Sequence, residues 1–123
     1  MFKTLRLAVI LGLGLLLPGS AGAHAVLTES QPAPQSTVDG ARLDLRLHYN
    51  SRVDAKRSRL TLKGPAGGSS TTRVLEIGRG QSDADLAAGV TALPPGRYIL
   101  HWDVLSVDGH VSRGDVPFSV ADH

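Results

Sequence analysis

The chain contains no cysteine, and its single methionine is Met1. Without thiols it cannot form disulfides, zinc ribbons, iron–sulfur clusters, blue-copper centres or cysteine-nucleophile sites. Without a thioether beyond the first residue, any metal held by the body of the chain must be content with nitrogen and oxygen donors. Aromatics are scarce: two Tyr, two Phe and one Trp in 123 residues. There is no basic stripe interleaved with aromatics, so a nucleic-acid partner is not expected. A long apolar run is missing as well. The longest, Leu7 to Leu17, falls well short of the about 20 residues that span hydrocarbon.

What is present begins with a leader. Met1 to Arg6 carries Lys3 and Arg6 and no acid, the apolar run follows, Pro18-Gly19-Ser20 breaks it, and Ala21-Gly22-Ala23 closes it. That order is the pattern of a cleavable secretory signal, assigned here to residues 1–23. Ala23-His24-Ala25 also satisfies the small-x-small rule and would move the cut to follow Ala25. Cleavage after Ala23 leaves His24 to His123, 100 residues, enough for one domain. Lys3 and Arg6 are two of 13 basic residues, so the remainder carries 11 against 11 acidic residues and is formally neutral.

The mature segment reads as all-β. Arg42 to Tyr49 alternates strictly, with Leu43, Leu45, Leu47 and Tyr49 inward. Arg59 to Lys63 repeats the pattern briefly, and Arg73 to Ile77 and Ala84 to Val90 are weaker strands. Tyr98 to Val104 puts Tyr98, Leu100, Trp102 and Val104 on one face; Asp115 to Val120 does so with Val116, Phe118 and Val120. Gln31 to Ser36, Lys63 to Thr72, Gly78 to Ser82 and Pro94-Pro95-Gly96 are turn and loop material. About seven short strands in such a length predict an Ig-like or cupredoxin-like β-sandwich with Greek-key connections.

Chemistry concentrates in the histidines. Processing would leave His24 first, with an α-amine and a ring Nδ1 on one residue, able to close a chelate ring. An amine titrates at about 7.7–8.0 and an imidazole at about 6.5, so a metal can displace both protons near neutrality. Such a nitrogen pair suits Cu(II), which prefers square N/O coordination. Ser106-Val107-Asp108-Gly109-His110 supplies a carboxylate and an imidazole two residues apart, on one side of an extended chain, with Gly109 free to turn. Alone, a D-x-H triplet is more often a hydrogen-bonded turn; its weight comes from pairing with His24. His48 and His101 fall on polar strand faces and read as solvated, and His123 ends the chain. Trp102 reads as core, and Arg113 as a neighbour of the metal site.

Several stretches together resemble the CopC copper-resistance proteins of the bacterial periplasm. They are His24-Ala25-Val26-Leu27, Ser30-Gln31-Pro32-Ala33, Leu45-x-Leu47-x-Tyr49, Leu93-Pro94-Pro95-Gly96-x-Tyr98, Trp102 to His110, and Gly114-x-x-x-Phe118-x-Val120. The resemblance implies a periplasmic Cu(II)-binding protein of copper homeostasis, monomeric and not an enzyme. It implies metal ligands His24, Asp108 and His110, and a copper transporter of the inner membrane, of the CopD type, as partner. Two departures matter. Some relatives carry a Glu after the strand ending at Tyr49, where this chain has Asn50-Ser51-Arg52, so that ligand is not carried over. Others bind Cu(I) through a Met-rich loop, whereas Gly64 to Thr72 has no Met.

Two rival readings come from other classes. A copper ion on an N-terminal His and a second His is also the histidine brace of polysaccharide monooxygenases. Those enzymes need a broad aromatic surface, and Tyr49, Tyr98, Trp102 and Phe118 all fall on inward faces here. The third reading is a non-metal Ig-like interaction module in which His24 and the D-G-H triplet are incidental.

Overall fold

Strict alternation is what lets a strand bury one face, and it sets the frame of this molecule. The structure, a computed structural model, describes residues 25–66 and 69–122. Residues 1–24, where the expected leader and His24 fall, lie outside the described residues, as do Gly67-Gly68 and His123.

Two sheets pack face to face. The first runs β1 (Leu27–Gln31), β3 (Arg42–Tyr49), β7 (Asp85–Thr91), β6 (Gly78–Arg79), all antiparallel. The second runs β2 (Thr37–Val38), β9 (Val111–Val120), β8 (Gly96–Leu105), β4 (Arg59–Ala66), β5 (Ser69–Leu75). Within it β2 lies parallel to β9 and the remaining pairs are antiparallel. This is the β-sandwich that the alternation predicts, and the inward residues are those read from the pattern. Leu43, Leu45, Leu47 and Tyr49 of β3 meet Tyr98, Leu100, Trp102 and Val104 of β8 and Val116, Phe118 and Val120 of β9 in one buried core. Each large side chain so buried contributes about 1.5–3 kcal/mol. The four aromatics among the described residues are all inside, in two contacts: Tyr49 meets Trp102 edge-on at 5.3 Å, and Tyr98 stacks on Phe118 at 5.5 Å.

The strand count differs from expectation: nine strands lie among the described residues, the additions being β1 and the two-residue β2 and β6. The larger difference is the β4–β5 hairpin, which occupies most of the Lys63–Thr72 stretch read as loop. Two breakers misled there. Pro65 is tolerated because beyond Lys63 strand β4 pairs with β5 alone, leaving one side outside any ladder. Gly64 is there for close approach, since a Cβ would strike the Tyr98 ring. No helix among the described residues is long and apolar enough to cross a membrane.

Candidate metal centre

The β8–β9 hairpin carries the D-G-H triplet. Leu105 and Val111 are the last paired residues, and the Ser106 N–H donates to His110 O at 2.9 Å. Gly109 N–H donates back to Ser106 O at 2.9 Å, closing a tight turn in which Gly109 takes φ +95°. That left-handed position is where such hairpin loops place glycine. The triplet is therefore not extended. Asp108 and His110 converge because the turn folds back, not because the pleat points them to one side, as the spacing argument supposed. Asp108 Oδ1 lies 3.2 Å from His110 Nδ1, and both side chains are about half exposed.

Asp108 is held from below. The buried Ser106 hydroxyl donates to its Oδ1 at 2.6 Å, and His110 N–H donates to the same oxygen at 3.2 Å. The Ser106 hydroxyl first, then the His110 N–H and ring, hold the carboxyl down at about 2. It is a fixed anion at any physiological pH. The motif Ser106 to His110 was legible in the sequence without a role for Ser106, although a hydroxyl two residues before an Asp in a turn is a recognisable local pattern.

The same end of the sandwich receives the start of the described chain. Ala25 is buried, Val26 N–H donates to Asn50 Oδ1 at 2.9 Å, and Asn50 N–H returns to Val26 O at 2.9 Å. Just beyond, Val53 forms a bridge with Ser106, and Val107 N–H donates to Arg52 O at 3.2 Å. Segment 50–53 thus touches the first described residues on one side and the D-G-H turn on the other. Of the predicted ligands, Asp108 and His110 stand together, and His24 lies outside the described residues. Among those residues no group of three or more His, Cys, Asp or Glu could hold a metal ion. A cleft of about 640 Å³ lies between the 53–56 and 77–85 segments and reaches Val107, beside the turn.

Two histidines read as solvated are paired instead. His48 sits opposite Asp85 in the β3–β7 register, and its Nδ1 is 2.5 Å from Asp85 Oδ1. Arg46 Nε forms an ion pair with Asp85 Oδ2 at 3.5 Å, and that oxygen accepts hydrogen bonds from the Gln81 and Ser82 N–H groups. Burial alone would raise the Asp85 carboxyl. The hydrogen bonds from His48 and Gln81, with the Arg46 charge, outweigh it and bring it below the ordinary value. On the second sheet, His101 Nδ1 is 2.6 Å from Asp115, while its Nε2 faces Asp103 at 3.5 Å. The two carboxylates lie on opposite ring nitrogens, so they do not converge on one point. Arg113 belongs to this cluster, 2.7 Å from Asp103, rather than to the D-G-H turn. The parity placing these histidines outward was right; the cross-strand partners were invisible without the register.

Residues 27–121 match the CopC domain family. The chain belongs to that family. The chain is similar to the protein YobA of Escherichia coli (strain K12), 31% identical over 120 residues, covering 96% of this chain and 95% of YobA. The copper transport protein CutJ of Bacillus subtilis is 28% identical over 106 residues, which are 86% of this chain but only 20% of CutJ. In structure, the chain is similar to PcoC, a methionine-rich copper resistance protein of Escherichia coli. The TM-score is 0.66 at 22% identity, covering 80% of this chain and 99% of PcoC. That likeness establishes the shared sandwich. CopC membership agrees with the reading of a copper-binding protein that is not an enzyme.

Proposed function

We propose that the protein is exported, loses residues 1–23, and binds one Cu(II) through His24, Asp108 and His110 as part of copper homeostasis in the periplasm. The observation that carries this is the D-G-H turn: an anionic carboxylate and an imidazole 3.2 Å apart, at the end of the sandwich that receives Ala25 and Val26, the first described residues. Two donors are too few for a tight site. His24 would add its amine and ring nitrogen, completing three nitrogens and one oxygen in the plane Cu(II) prefers. The carboxylate also offsets one of the ion's two charges. With no Met in the mature segment, a thioether Cu(I) site has no ligands.

Two observations support cleavage after Ala23 rather than Ala25. Ala25 is 3% exposed and part of the core. A cut behind it would remove a packed residue and put a charged amine on Val26, whose N–H is already used by Asn50. The inward placement of all four mature-chain aromatics argues against a polysaccharide-cleaving surface. An inner-membrane copper transporter as partner is supported by CutJ, a copper transport protein of which this chain matches one-fifth.

Copper titration of protein beginning at His24, followed by Trp102 emission and by EPR, tests the reading. One equivalent with nitrogen hyperfine structure is expected, and a single residue added before His24 should weaken binding sharply. Absence of stoichiometric binding, or indifference to the added residue, would overturn it.

A further inference from the structure

Ser106 is 4% exposed, unusual for a serine in a hairpin whose neighbours 107–110 are all exposed. Its backbone is fully engaged, N–H to His110 O and carbonyl to Gly109 N–H, and its neighbours Leu105 and Val107 bond Asp54 and Arg52 across the bridge to Val53. The hydroxyl therefore projects from a fixed platform. It has one proton and two acceptors in reach, Asp108 Oδ1 at 2.6 Å and His110 O at 3.1 Å. The shorter contact to a charged acceptor takes the proton. His110 N–H adds a second bond to that same Oδ1, and the His110 ring Nδ1 faces it at 3.2 Å. None of these contacts uses Oδ2.

We propose that Ser106 is the positioning residue of the copper site, pinning Oδ1 of Asp108 so that Oδ2 alone is presented to the metal. This rests on the copper reading above. Swinging Oδ1 outward would break two hydrogen bonds at once, so the carboxylate binds through one oxygen and takes one corner of the plane. Two donors on Oδ1 also draw electron density from that oxygen, and Oδ2 keeps its lone pairs for the ion. The buried hydroxyl is thus set up to fix both the denticity and the direction of the oxygen ligand.

Ser106→Ala and Ser106→Thr, each beginning at His24, test the assignment against the unaltered protein. Ser106→Ala is expected to bind Cu(II) about tenfold more weakly, the scale of one hydrogen bond to a charged group, with altered copper hyperfine coupling. Ser106→Thr, which keeps the hydroxyl, should return both towards the original values. In metal-free protein, hydrogen exchange at the His110 N–H should quicken by about tenfold in Ser106→Ala alone. Thermal melting identifies a variant that fails to fold, and the Thr variant then carries the comparison through its EPR spectrum. Unchanged affinity and hyperfine coupling in a folded Ser106→Ala protein would overturn the role. If the unaltered protein binds no copper, it is the copper reading that fails. The metal-free exchange then decides Ser106, and an unchanged His110 rate would overturn its hold on the turn.

Discussion

Val53 and Ser106 form an isolated antiparallel bridge that ties the segment leaving β3 to the turn leaving β8. These segments come from different sheets, so the bridge closes one end of the sandwich. Val53 N–H also donates to Asp83 O at 2.9 Å, which brings in the loop before β7. Asp108 and His110 therefore sit on a hairpin clamped from both sheets, not on a loose loop.

The clamp makes Gly109 testable. A Cβ there would meet nothing within 4 Å, but φ +95° is a conformation that L side chains rarely adopt. Gly109→Ala should destabilise the fold by about 1 kcal/mol through backbone strain alone. It should also weaken copper binding as Asp108 and His110 separate. Thermal melting and a chelator-competition titration read the two effects.

His110→Ala and Asp108→Asn alter exposed side chains, so folding should be nearly unchanged. Copper affinity should fall by more than about tenfold in each, at least about 1.4 kcal/mol. Loss of nitrogen hyperfine lines is expected only for His110→Ala. The same variants of His48 and His101, engaged by Asp85 and Asp115, should leave the copper signal intact.

Asp85 predicts a pH effect whose sign follows from its lowered carboxyl value. A group with a depressed folded-state value contributes stability above its unfolded value, about 3.9, and loses it as pH falls through the folded value. Asp85→Asn should therefore cost about 1–3 kcal/mol at neutral pH, as one buried acceptor is replaced by an amide. The difference from the unaltered protein should shrink below about pH 4. Denaturant unfolding at pH 7 and pH 3 checks this.

Gly114 packs under Trp102, and a Cβ there would collide with the indole ring. Gly114→Ala should cost about 1–3 kcal/mol by overpacking. The Trp102 emission maximum should shift as the ring is displaced, without abolishing copper binding.

Much of the architecture was legible because apolar alternation reports directly which face of a strand is buried. Leu43 to Tyr49 and Tyr98 to Val104 needed nothing else. The reading failed where local signals were overridden by distant contacts. Gly64 and Pro65 look like a turn, yet the Tyr98 ring and a one-sided ladder make them strand. His48 looks solvated, yet the register sets it opposite Asp85.

The order of residues by itself settled the donor chemistry, since a chain without thiols or internal thioethers can offer a metal only nitrogen and oxygen. It also settled the inward faces, because the two-residue period is a local property of extended backbone. Only the tertiary structure decided that Asp108 and His110 meet through a folded turn, that a buried Ser106 holds one carboxylate oxygen, and that this turn shares segment 50–53 with Ala25 and Val26, the first described residues. Those facts depend on which segments become neighbours, and pairing across two sheets is a property of the whole fold rather than of any stretch within it.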